Sequence, residues 1–260
     1  MARIGMALGV SAHRNLGWHV TSTAGTFGAA AACAKAGIVA FTGDGVDPAV
    51  MEGATQAIRA QQGCGVPTVK PWDRETLMQK LDLALTADPM AITMDIDAAG
   101  LPFLRNRMPP AGSKTVAELR EVAEHARKPF ILKGIMTVRG AEKAVEAGAS
   151  AIVVSNHGGR VQDGVPATAQ VLPAIAHAVK GKMTILVDGG IRSGLDVLRA
   201  LALGADACIL ARPYVTAVYG GGAEGVRLLT EKLKAELADT MAMCGAHSLA
   251  DISRSMLYGF

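Results

Sequence analysis

Eight short apolar segments alternate with helical segments along a chain of 260 residues. That pattern predicts an α/β fold, a TIM (βα)8 barrel forming a single domain over residues 1–260. The length supports it, since one such barrel takes about 250 residues. So does an internal echo: EAGAS before the sixth predicted strand and ALGAD before the eighth are near-copies. Each ends a helix at Gly and turns into the next strand, which favours a closed ring of repeating units over an open sheet.

The predicted strands are Arg3–Gly9, Ile38–Thr42, Val66–Lys70, Ala91–Asp95, Phe130–Gly134, Ala151–Ser155, Thr184–Asp188 and Ala207–Ala211. Most are continuous apolar runs bounded by Gly, Pro or a charge, the pattern of strands buried on both faces. Between them, Val116–Ala126 places Val116, Leu119, Val122, Ala123 and Ala126 on one helical stripe. The segment Ser193–Gly204 opens on a Ser suited to an N-cap and closes on a Gly. One connection is long: residues 96–114 follow the fourth strand with three Pro, two Gly and little periodicity. Loops of that length in compact domains are commonly functional lids. No linker, low-complexity tract or second domain interrupts the series.

Composition removes several classes of function. Against 23 Asp and Glu stand 26 Lys and Arg, a net charge of +3, with no basic stripe of the kind nucleic acid demands. Half the residues are hydrophobic and 19% are charged, which excludes a disordered chain. No apolar run reaches the roughly 18 residues of a membrane span. The four scattered Cys form no CxxC, so neither a metal site nor a disulfide framework is expected. A reducing compartment, the cytoplasm, is the expected location, because the N-terminus has no signal-peptide pattern.

In a barrel the C-terminal ends of the strands converge on one mouth. Those positions hold Thr42, Lys70, Thr93, Asp95, Lys133, Ser155, Asn156, His157, Asp188 and Arg212. Helix packing does not explain a ring of polar groups directly after apolar runs; a catalytic pocket does. Lys133 either snorkels at the rim or holds a cation against a developing anion. In Ser155-Asn-His-Gly-Gly-Arg160, His157 can act as a general base, the glycines let backbone approach a ligand, and Arg160 can clamp a carboxylate. Asp95 either caps a turn or orients His157 and stabilises its imidazolium. Asp188-Gly-Gly-Ile-Arg192 and Ala211-Arg212-Pro213 follow the seventh and eighth strands, where barrels build phosphate sites.

The words KGIMT, AIVVSNHGGR, VDGGIRSGLDVLRALALGADACILARP and TMAMCGAHSLADISRSML together resemble the FMN-dependent 2-hydroxy acid dehydrogenases and oxidases. That family includes glycolate oxidase, lactate oxidase, mandelate dehydrogenase and flavocytochrome b2. The match is specific from Lys133 to Leu257 and follows strand order more than words before Asp95. The resemblance implies FMN as cofactor and a 2-hydroxy acid, such as lactate or glycolate, as substrate. It implies His157 as base, Arg160 on the substrate carboxylate, Asp95 paired with His157, and Lys133 beside the flavin's N1/O2 edge. Ser155 and Thr93 would contact the ring, and Asp188 the ribityl chain. Gly189, Gly190, Arg192, Ala211 and Arg212 would cradle the phosphate. The backbone of Ala7, Leu8, Gly9 and Val10 would lie against the flavin, with Thr42 and Gly43 near the ring edge.

The chain departs from the family at four places. Lys70-Pro-Trp72 stands where Gln-x-Tyr is usual, so Lys70 would add a second cation and Trp72 would offer an indole N–H to substrate. Leu101 or Pro102 falls where a second substrate Arg is expected, with Arg105 and Arg107 nearby. Ala211 replaces a Gly. The family's longer N-terminal helical segment with its Tyr has no counterpart here, so either Met1 is not the native start or the chain lacks that lid. Two other readings stand beside the oxidoreductase. One is an FMN-dependent isomerase like the type 2 isopentenyl diphosphate isomerases, although no carboxylate cluster suits a diphosphate-bound Mg2+. The other is a non-catalytic flavin-binding remnant. The family implies a homo-oligomer, often a tetramer, and an electron acceptor that is O2, a quinone or another protein. Neither oxidase versus dehydrogenase nor hydride versus carbanion transfer is written in the residues.

Overall fold

The computed structural model describes residues 32–101, 104 and 107–259. Its centre is an all-parallel sheet of six strands in sequential order: β1 (Thr68–Val69), β2 (Ile92–Asp95), β3 (Phe130–Ile135), β4 (Ala151–Val154), β5 (Thr184–Val187) and β6 (Ala207–Cys208). Before β1, Phe41 forms a parallel bridge with Val66. Helices alternate with the strands: α1 (Pro48–Arg59), α2 (Arg74–Leu85), α3 (Val116–Ala126), α4 (Val138–Glu146), α5 (Thr168–Val179), α6 (Gly194–Ala202) and α7 (Arg212–Met243). Strand order without crossovers and a helix between successive strands are the wall of a (βα)8 barrel. The predicted first strand, Arg3–Gly9, lies outside the described residues.

The strand alternation sorts side chains into two layers. Ile92, Met94, Leu132, Ile152, Val154 and Ile185 face outward and pack on Leu81 of α2, Val122 of α3, Ala144 of α4 and Ile175 of α5. Ala91, Ile131, Ala151 and Val153 face the other way and form a smaller cluster with Val66, Phe41, Leu186 and Ile209. With a period of two, the inward side of β2 continues from Ala91 to Thr93 and Asp95, and that of β3 from Ile131 to Lys133. The register sets Asp95 opposite Lys133. The apolar interior therefore ends in a polar layer at the carboxyl ends of the strands.

Three elements differ from expectation. β1 is two residues long where Val66–Lys70 was predicted, because Pro67 and Pro71 flank it without N–H groups to extend the ladder. Of predicted strand Ile38–Thr42, only the bridge at Phe41 forms, supported by Val66 N–H donating to Ala40 and Thr42 N–H to Val66. The eighth predicted strand keeps only Ala207–Cys208. The long loop is partly built: Ile96–Gly100 is a 3-10 turn, and Ala111 bridges Trp72 antiparallel, strapping the loop over the exit of β1.

The helix ends follow their sequence signals. Thr115 and Ser193 cap α3 and α6 reciprocally with Glu118 and Asp196. Gly204 ends α6 at φ +109°, and a Cβ there would lie 2.7 Å from that of Ala176, so this turn needs glycine on both counts. No helix among the described residues is long and apolar enough to cross a membrane.

Candidate active site

The polar layer begins with Asp95, the last residue of β2. Lys133 Nζ donates to its Oδ1 at 2.9 Å, and Lys70 Nζ lies 3.6 Å from its Oδ2. Burial alone would raise the Asp95 carboxyl, but Lys133, Lys70 and His157 overcome it and hold the group at about 2. Lys133 also lies 3.7 Å from Asp188, at the end of β5. Burial works against the Lys133 ammonium, yet Asp95, Asp188 and Asp97 raise its affinity for the proton above the ordinary range. Burial raises the Asp188 carboxyl, with Lys133 and the Ser155 hydroxyl pulling the other way.

His157 follows β4 in a left-handed conformation, φ +55°, continued by Gly158 at +68° and Gly159 at +74°. Such a run curls the chain over the strand end, which is why two glycines follow the histidine. The His157 N–H donates to Ser155 Oγ at 3.1 Å, and Gly158 N–H to Asn156 Oδ1 at 3.1 Å. His157 Nδ1 lies 3.0 and 3.1 Å from the two oxygens of Asp97, and Nε2 lies 3.8 Å from Asp95 Oδ2. The nearest carboxylate to the ring is thus Asp97, which the sequence reading missed. Its signals were present: a second Asp two residues after the strand-ending one, and a Gly inside the facing strand, which marks a close approach.

The structure brings Lys70, Asp95, Lys133, His157 and Asp188 together by ion-pair distances, with Ser155 bonded to the His157 backbone. Thr93 pairs in register with Ile131, one alternation below Lys133. Arg212, the first residue of α7, reaches the Gly158 turn: a Cβ on Gly158 would lie 2.9 Å from its guanidinium. Gly189 faces Asn156 and Thr168, while Thr168 Oγ1 donates to the Asp188 carbonyl. Gly189 and Gly190 take φ of +90° and +82°, and the Arg192 guanidinium donates back to the Gly190 carbonyl. Ala211 precedes α7, which opens with no side-chain cap. Arg160 is exposed and has no partner among the described residues. Ala7, Leu8, Gly9 and Val10 lie outside them.

Trp72 requires a correction. It is fully buried, and its indole N–H, expected to face substrate, donates to Asp44 Oδ2 at 2.6 Å. Asp44 also accepts from the backbone of Lys70 and from Lys80 Nζ, whose ammonium sits 5.0 Å from the Trp72 ring centre. Trp72 is therefore part of the wall that fixes Lys70. Leu101 likewise turns into the core, while Arg107 is exposed.

The donor set fits a flavin mononucleotide on one structural observation. Among the described residues, Thr42 Oγ1, Thr93 Oγ1 and Asp188 Oδ1 are buried without a hydrogen-bond partner, as is Thr55 Oγ1 within α1. Buried polar atoms are nearly always satisfied, so three such atoms on separate strands toward the carboxyl side of the sheet call for a polar ligand. Asp95, Asp97 and His157 bring potential ligand atoms within 4.8 Å of one another, but the positive charge at this place comes from Lys133 and Lys70.

Comparison with known proteins agrees with this geometry. The profile of a family described as FMN-dependent dehydrogenase matches residues 103–259. L-lactate dehydrogenases of Xanthomonas axonopodis pv. citri and Pectobacterium atrosepticum are each 50% identical over 140 residues, 54% of this chain and 36% of those proteins. The match thus takes in little more than a third of the curated relatives' length. A crystal structure of a mandelate oxidase variant with 2-hydroxy-phenylacetamide superposes with a TM-score of 0.77 at 32% identity, covering 88% of this chain and 72% of that one. A mandelate oxidase variant solved with an FMN adduct gives 0.76 at 31% identity, covering 88% and 73%. With more than half the residues matched by its profile and the barrel wall shared with its solved members, the chain belongs to the FMN-dependent dehydrogenase family.

Proposed function

We propose that this chain oxidises an (S)-2-hydroxy acid, lactate- or glycolate-like, to the 2-oxo acid. One observation carries the reading: His157 is held on one ring nitrogen by a carboxylate and turned toward a buried cluster of Asp95, Lys133 and Lys70. FMN, when bound, supplies the two-electron acceptor for the C2–H bond.

The chain's own residues do the rest. His157 Nε2 takes a proton from the substrate. Arg160, unpaired among the described residues, binds the substrate carboxylate in two-pronged fashion. Lys133 and Lys70 present fixed positive charge where negative charge develops. Thr42, Thr93 and Asp188 satisfy their orphaned oxygens on the cofactor. Gly189, Gly190, Arg192, Ala211 and Arg212 receive its phosphate. Ser155 holds the His157 backbone as well as facing the ring. Relatives named as dehydrogenases and oxidases support oxidation over isomerisation. The electron acceptor, O2, quinone or protein, and a homo-oligomer are inferred from the family, while a cytoplasmic location is inferred from the four scattered cysteines.

Anaerobic mixing of FMN-loaded protein with a panel of 2-hydroxy acids tests the reading. L-lactate should bleach the flavin's visible absorbance. His157→Ala should slow that bleaching by about 10²–10⁴-fold, the contribution of a positioned general base, while flavin stays bound. Bound flavin that no hydroxy acid reduces would refute the reading.

A further inference from the structure

We propose that Asp97 is the positioning residue for His157 and that Gly134 is the residue that makes room for it. The inference rests on His157 being the base, and it assigns the orienting carboxylate to a residue different from the strand-ending Asp95.

The geometry separates the two carboxylates by role. Asp97 places both oxygens at hydrogen-bond distance from Nδ1, 3.0 and 3.1 Å. A carboxylate can only accept, so the proton sits on Nδ1 and Nε2 keeps its lone pair. Asp95 lies 3.8 Å from Nε2, beyond a hydrogen bond, and its charge is already taken by Lys133 at 2.9 Å and Lys70 at 3.6 Å. Asp97 has no lysine or arginine within ion-pair distance among the described residues; its partner is His157. The groups facing the imidazole are therefore Lys70 from the exit of β1, Asp95 from β2, Asp97 from the 3-10 turn, Lys133 from β3 and Asp188 from β5. Within that set, Asp97 is the charge left over to balance an imidazolium. When Nε2 takes a proton from the substrate, Asp97 holds the new cation through Nδ1, and Asp95 begins to attract it.

Gly134 shows that the contact is built in. The 3-10 turn at Ile96–Gly100 swings Asp97 back across β3. A Cβ on Gly134 would lie 2.5 Å from Asp97 Cγ and 2.6 Å from its Cβ, closer than such atoms come. Gly134 also sits at φ +101°, where the β3–β4 register shifts. A glycine in mid-strand weakens the ladder, so its presence here answers to the side chain it admits.

The test uses FMN-loaded protein with ¹⁵N-labelled histidine. In the parent, the His157 signals should report a proton on Nδ1. In Asp97→Ala that proton should redistribute toward Nε2. Flavin reduction by hydroxy acid should slow by about 10–100-fold, part of a general base's whole contribution, with the substrate dissociation constant changed less than about threefold. The acid limb of the reduction rate against pH should move to lower pH, because an imidazolium without Asp97 is less stabilised. Gly134→Ala, with Asp97 intact but displaced, should give the same pattern, and Asp97→Asn should move the limb even if Asp97→Ala folds poorly. A parent-like tautomer together with a rate within about twofold of the parent would overturn the proposal. If the parent itself is reduced by no hydroxy acid, the oxidoreductase reading fails, and the tautomer measurement still decides whether Asp97 fixes the ring.

Discussion

Asp95 is a buried carboxylate whose neighbours decide its charge. Its group is held at about 2, below its ordinary 3.8, by Lys133, Lys70 and His157 against the opposing effect of burial. A carboxyl depressed by folding contributes stability that is fully present above its unfolded value and vanishes as pH falls through the folded one. Here that window runs from about pH 4 down to about pH 2, and the contribution is about 2 kcal/mol. Asp95→Asn should therefore be less stable than the parent at neutral pH, with the gap narrowing as the pH falls through that window. Urea midpoints from pH 5 to 2 check this; a gap of constant size would count against the ion cluster. Asp95, Lys133 and His157 were legible in the sequence because each ends an apolar run or sits in a distinctive hexapeptide. Asp97 was marked only weakly, by its place two residues after Asp95 and by Gly134 in the facing strand, because the 3-10 turn that brings the two together carries no periodic signal.

At the scale of elements, alternation and capping residues carried most of the order. Six strands and the α3 and α6 helices fall where the apolar runs, Thr115 and Ser193 place them. Strand lengths did not follow, because Pro67 and Pro71 cut short what the apolar run of residues 66–70 suggests. The packing of α6 on α7 was equally hidden. Gly194, the first residue of α6, meets the α7 backbone so closely that a Cβ would lie 2.1 Å from the Leu237 nitrogen. Its N–H donates to Glu236 Oε2 at 2.9 Å. That contact fixes the helix which begins just after the Asp188-Gly-Gly-Ile-Arg192 turn. Gly194→Ala should force the helices apart and cost about 1–3 kcal/mol, the usual penalty of overpacking. The urea midpoint should fall and FMN affinity with it. An unchanged midpoint would mean α7 shifts freely.

On the scale of the whole molecule, one buried charge joins three stretches that are distant in sequence. Asp44 follows the Phe41 bridge; its oxygens accept from Gly45 N–H at 2.7 Å, Lys70 N–H at 3.0 Å, Trp72 Nε1–H at 2.6 Å and Lys80 Nζ at 2.6 Å. Lys80 reaches in from α2 and donates to the Gly45 carbonyl as well. The early barrel wall, the exit of β1 and α2 are thus tied at a point that also sets the backbone of Lys70, whose ammonium enters the Asp95 cluster. Removing one partner of such a pair costs about 3–5 kcal/mol, because the other charge is left bare in the interior. Lys80→Met should show that loss. Asp44→Asn in the same chain should recover part of it, because the amide carbonyl still accepts an N–H while the uncompensated charge is gone. The double variant should therefore have a higher urea midpoint than Lys80→Met alone. A double variant no more stable than the single one would show that the hydrogen bonds of Asp44, rather than its charge, hold this corner of the barrel.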